Sequence, residues 1–285
     1  MRKMALSAAA VLAVIVVWVG MRLIPALGYF PPELFEQTFA PSVFIQLGIK
    51  NIVFVAYLCT AVVLFFVFFA VIQRRLGGRR GTKGLLYGSM LGVLWALAFL
   101  AATEFFDTSL TAETINAIVD LIPLALAGWL AGLTLGSDSP LDAEPASSHL
   151  IAIPIIALGF VAFHSVTVAL FDNPSVALAR MMFTPGGIIG YLWLAAIGAW
   201  IGAMYVAFRG CLDFKSIWAN AGFFALVVVG HSWLWFNMFF NILYANVLLP
   251  MLSMWVLDIL GVFVGVAVYE QIQRHHKAGV ATASS

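Results

Sequence analysis

Charge is scarce in this chain. Asp, Glu, Lys and Arg make up 9% of its 285 residues, against about 25% in a soluble domain. So few charges exclude a water-covered globule. The two cysteines are Cys59, inside an apolar run, and Cys211, in a short basic loop. They exclude a disulfide framework and a cysteine-based metal knuckle. A net charge of +1 excludes nucleic acid as a partner. Local signatures of chemistry are missing too. There is no GxSxG, no GxGD pair and no phosphate-binding glycine loop, so no nucleophile or nucleotide motif is set out in the chain. Neither HxxxH nor HxxEH occurs, so no helix carries two histidines spaced for a metal, and no metal ligands are assigned.

What fills the chain instead is apolar residues, at 63%, with a mean hydropathy of +1.04. A bilayer core takes about 20 apolar residues as helix. Eight runs qualify: 4–27, 51–72, 85–106, 114–135, 150–171, 187–208, 216–240 and 248–269. The expected fold is therefore all-α, a polytopic membrane protein of eight transmembrane helices. Eleven of the fourteen Lys and Arg residues fall on one side of such a layout, with only Arg22, Lys50 and Arg180 on the other. Basic residues gather on the cytoplasmic side, so both termini are expected there, in the plasma (inner) membrane of a prokaryote. A cleaved signal peptide at Arg2-Lys3 is the competing reading. It is disfavoured because the first run has a counterpart at 150–171.

Two landmarks repeat. Phe39-Ala40-Pro41 recurs as Phe183-Thr184-Pro185, and Ile118-Val119-Asp120-Leu121 as Val256-Leu257-Asp258-Ile259. Each pair holds the same place among the apolar runs. The expected architecture is two tandem parallel four-helix repeats, residues 1–136 and 150–272. A polar cytoplasmic linker at 137–149 joins them, and a disordered cytoplasmic tail follows at 273–285. Four spans per half is an even number, so both halves enter the membrane the same way up and relate by an axis along its normal. The proline-bearing outer loops, with Pro31, Pro32 and Pro41 in one half and Pro174 and Pro185 in the other, read as interfacial segments. Glycines four apart (Gly84, Gly88, Gly92; Gly128, Gly132, Gly136; Gly198, Gly202; Gly261, Gly265) fit close helix packing.

Ionisable groups inside spans cost at least about 2.5–3.5 kcal/mol for Asp at a helix centre, so the few present are the candidate site. Asp258 is the deepest and Asp120 is its repeat counterpart. Glu104 lies near the outer end of the third run, and His164 and His231 in the outer parts of the fifth and seventh. Asn237 follows His231 on the same run. Arg22 either snorkels to the interface or neutralises one of the aspartates. Each of these side chains could equally be a hydrogen-bonded helix anchor. The tryptophans read as interfacial belts and apolar packing.

The leading functional expectation is a permease for a small solute or ion, with Asp258 and Asp120 binding a proton or cation and His231 and Asn237 shaping the substrate site. The alternative is a membrane subunit of a redox or lipid-modifying enzyme, with His164 and His231 meeting a quinone, haem or metal. A non-catalytic membrane partner subunit is the third reading. The expected partners are the lipid bilayer and a small solute or ion, in a homo- or hetero-oligomer or alone.

Overall fold

A computed structural model describes residues 2–23, 41–106, 109–140, 149–170 and 185–283. These residues are helical apart from turns and two isolated bridges, Pro41 with Tyr244 and Gly78 with Ser139. In chain order the helices are α1 (Arg2–Leu23), α2 (Val43–Gln46), α3 (Lys50–Ile72), α4 (Arg80–Phe106), α5 (Leu110–Leu135), α6 (Ala152–Leu170) and α7 (Pro185–Ala207). A 3-10 turn at Arg209–Cys211 precedes a composite span. That span consists of α8 (Ile217–Gly222), a π-helical segment (Phe223–Gly230) and α9 (His231–Leu243). The last helix is α10 (Leu248–Ala283).

Among the described residues, seven helices are long and apolar enough to cross a membrane, and the chain is an integral membrane protein. Eight such spans were expected. The remaining expected span, run 150–171, is helix α6, which is apolar over Ala152–Thr167. The tail differs as well. Residues 273–283, expected to be disordered, continue α10, and Gln271 and His275 bond across one turn at 2.9 Å. The proline loops at 31–32 and 174, with Arg180, lie outside the described residues. Of the linker, 141–148 also lie outside them. Its start is held: Ser139 exchanges backbone hydrogen bonds with Gly78 at 3.0 and 3.1 Å, and Gly78 takes φ +109° to make that turn.

The glycine rows set the helix pairs. A Cβ on Gly84 would sit 2.0 Å from the Gly128 carbonyl oxygen, and one on Gly128 would sit 2.2 Å from that of Gly84. The backbones of α4 and α5 therefore touch, which only glycine permits. Gly159 of α6 and Gly261 of α10 meet in the same way, at 2.5 Å from each other's carbonyl oxygen. Around these pairs α1 packs on α5 and α3, and α7 on α6. The largest contacts between helices α1–α5 and helices α6–α10 are α4 with α7 and α3 with α9. Each carries a bond: Trp200 donates to the Met90 carbonyl at 2.9 Å, and Tyr57 to that of Trp235 at 2.6 Å.

Candidate functional site

The apolar helices leave each buried aspartate a single source of solvation, namely donors on neighbouring helices. Asp120 is ten residues into α5 and Asp258 ten into α10, each about 15 Å from its helix start at 1.5 Å per residue. The two therefore stand equally far along their helices. Sequence reading set Asp120 shallower, because α5 begins at Leu110, before the apolar run does.

Asp258 is fully buried. His164 of α6 pairs with its Oδ1 through Nδ1 at 2.8 Å, and Trp233 of α9 donates its indole N–H to Oδ2 at 2.8 Å. Both carboxylate oxygens thus receive a donor when the acid is ionised and His164 carries its proton on Nδ1. Hydrogen bonds to a charged group contribute about 1.5–3 kcal/mol each, enough to offset the minimum cost of the buried charge.

Asp120 is buried to 1% exposure and is held differently. Arg22 of α1 pairs with it through both Nε, at 2.9 Å to Oδ1, and Nη2, to Oδ2. Trp18, one turn earlier on α1, donates to Oδ1 at 2.7 Å. Arg22 also reaches Asn116 at 2.8 Å, and it lies over the rings of Phe99 and Phe239, each 5.4 Å from its guanidinium. Of the two roles open to Arg22 in the sequence, neutralising an aspartate is the one seen. Asp120 therefore carries a permanent counter-charge, whereas the side chain paired with Asp258 is an imidazole.

An aromatic row spans the space between the two sets. Trp18 lies 5.8 Å from Trp95, Trp95 5.6 Å from Phe236, and Phe236 5.4 Å from Trp233. Trp95 also donates to the Ser232 hydroxyl at 2.9 Å. On the Asp258 side the row borders a cavity of about 40 Å³, room for roughly three waters at 10–15 Å³ each. Its walls include Ala98 and Ala102 of α4, Leu194 of α7, His164, Asn237, and Met251 and Met254 of α10. Asn237 is fully buried and donates to the Trp233 carbonyl at 2.8 Å, while its Oδ1 has no partner among the described residues.

His231 belongs to another set. Its Nε2 meets the Tyr87 hydroxyl at 2.9 Å, and its ring stacks on Phe68 at 4.1 Å. Glu104 lies in the last turn of α4, and its side chain is outside the described residues. The structure thus brings Asp258, His164 and Asn237 to one place and sets Asp120 and His231 in separate clusters.

Sequence reading missed the tryptophans as donors. A signal was present: Gly92 and Trp95 stand 138 residues before Gly230 and Trp233, the same separation as Asp120 and Asp258. It also missed a polar set toward the end of α10. There Glu270, 5% exposed, accepts from Tyr205 at 2.7 Å and pairs with Arg209 at 3.5 Å. Tyr244, just past α9, has its phenol pushed up to about 12 by burial, with the Glu113 carboxylate adding to the shift. No known protein family, characterised protein or solved structure matches this chain.

Proposed function

We propose that this chain is a permease for a small solute or ion, working through a proton or cation at Asp258. The observation that carries the reading is the pairing of Asp258 with a histidine beside a small cavity. A carboxylate–imidazole pair can gain or lose a single positive charge without rearranging the helices around it. Its counterpart Asp120, locked to Arg22, then serves as a fixed anchor between α1 and α5.

The reading includes two tandem four-helix repeats, 1–136 and 150–272, joined by the 137–149 linker. Three correspondences support it. In each half a basic side chain on the first helix, Arg22 or His164, binds the aspartate of the fourth. The third helices carry Gly and Trp at the shared offset. The contacts between halves are reciprocal, third helix of one half with second of the other. Both termini lie in the cytoplasm of a prokaryotic inner membrane on this reading, supported by the eleven-to-three split of basic residues. The rival in which His164 and His231 share a haem or quinone has less support, because the two rings bond to different helices in separate clusters.

The test is flux across liposomes. Reconstituted wild-type protein should dissipate an imposed proton or monovalent-cation gradient, read by an internal dye, and Asp258→Asn should abolish that flux. Equal flux in the variant, or none in the wild type under any of these gradients, contradicts the reading.

A further inference from the structure

Met251 and Met254 stand on the same stripe of α10 as Asp258. They precede it by seven and four residues, spacings that return to one helix face. The two methionines thus stand one and two turns before the aspartate on α10, and both line the cavity that His164 lines. Met251 is 3% exposed. Asp258 engages His164 at Nδ1, so with the proton on that atom Nε2 is the lone-pair nitrogen. This is the tautomer, and the carboxylate partner, that a metal-binding histidine characteristically has.

The charge and softness of this set select among ions. With Asp258 ionised and the His164 imidazole neutral, as metal ligation requires, the set carries one negative charge. A single positive charge balances the set to zero, whereas a divalent ion leaves an excess charge among apolar walls, which is costly. Thioethers favour copper(I), while sodium, potassium and magnesium seek oxygen donors. The cavity wall offers Asn237 Oδ1 as its side-chain oxygen. About 40 Å³ is room enough for a dehydrated ion. No group of three His, Cys, Asp or Glu is placed to hold a metal among the described residues, and the further donor side chains lining this cavity are Met251, Met254 and Asn237.

We propose that this cavity is a binding site for a soft monovalent metal ion, copper(I), with His164, Met251 and Met254 as ligands and Asp258 as counter-charge. The inference deepens the reading of Asp258 as a cation site and rests on it for the identity of the transported ion, but the binding itself can be measured without transport.

The experiment titrates the purified full chain in detergent, under reducing conditions, with copper(I) held by a chromophoric chelator. Wild type should withdraw one equivalent. The double variant Met251→Leu/Met254→Leu nearly conserves core volume and should bind at least about ten-fold more weakly with an unchanged melting curve. Asp258→Asn, which removes the group orienting the histidine, should weaken binding about 10–100-fold. X-ray absorption on the copper-loaded wild type should report both sulfur and nitrogen neighbours, which keeps the test sound even where a variant fails to fold. No copper withdrawn, a nitrogen- or oxygen-only shell, or undiminished binding in the double methionine variant overturns the inference. The last result would assign the metal to exposed groups such as His275 and His276. Proton flux without copper binding overturns this inference alone, and copper binding without any flux overturns the permease reading alone.

Discussion

Two aspartates that look alike in the sequence are held by different neighbours. Asp120 meets a guanidinium, whose charge is permanent. Asp258 meets an imidazole, whose charge depends on its surroundings. Removing one partner of a buried pair leaves the other uncompensated, at about 3–5 kcal/mol. Asp120→Asn should therefore lower the melting temperature markedly, and the double change Arg22→Met/Asp120→Leu should restore much of the loss. A thermal melt of the three proteins in one detergent checks this, and a single variant as stable as wild type would remove the anchor role. At the separate histidine, Tyr87→Phe deletes one neutral hydrogen bond to His231 and should cost about 1 kcal/mol, with flux retained. Sequence reading found both aspartates because charge is rare in apolar runs. It took Trp18 and Trp233 for belt or packing residues because an indole carries one polar N–H on a large apolar body, and the donor shows only once its acceptor is in place.

At the level of helices, the glycine rows were legible and their pairings were not. Spacing by four announces a close contact, but it does not say that Gly84 meets Gly128 or that Gly159, which stands outside any such row, meets Gly261. A side chain at Gly128 would have to displace the α4 backbone, whereas a Cβ at Gly20 meets nothing within 4 Å. Gly128→Leu should therefore lower the folded yield and melting temperature sharply, and Gly20→Ala should leave both unchanged. Monodispersity by size exclusion, beside the melt, reads the difference. The π-helical segment Phe223–Gly230 could not be read at all, since its run of Phe, Ala, Leu, Val and Gly has no polar residue to mark a period. π-helical turns are rare and concentrate at functional sites. This one ends where His231 begins and delivers Trp233 to Asp258. Its last carbonyl, that of Gly230, accepts from the Trp255 indole at 2.8 Å, which ties the irregular turn to α10. Trp255→Phe should loosen that tie, seen as faster amide exchange across 223–230 with the other helices unchanged.

For the whole molecule, composition alone identified a membrane protein, because no other environment suits so little charge. Among the described residues seven helices are long and apolar enough to cross a membrane, and the eighth expected run, 150–171, is occupied by α6 at Ala152–Leu170. Orientation rests on the basic residues, and reporter fusions at Gly78 and Ser285 should both read as cytoplasmic; an external signal at either would contradict the eight-span layout. The central claim is that the molecule keeps one aspartate for its fold and one for its work. The most direct test measures ion flux and melting temperature side by side for Asp258→Asn and Asp120→Asn in the same liposome and detergent preparations. The account predicts that Asp258→Asn melts within a few degrees of wild type and carries no flux, while Asp120→Asn melts well below it. If Asp258→Asn melts early yet keeps its flux, Asp258 is a helix anchor and the account is wrong.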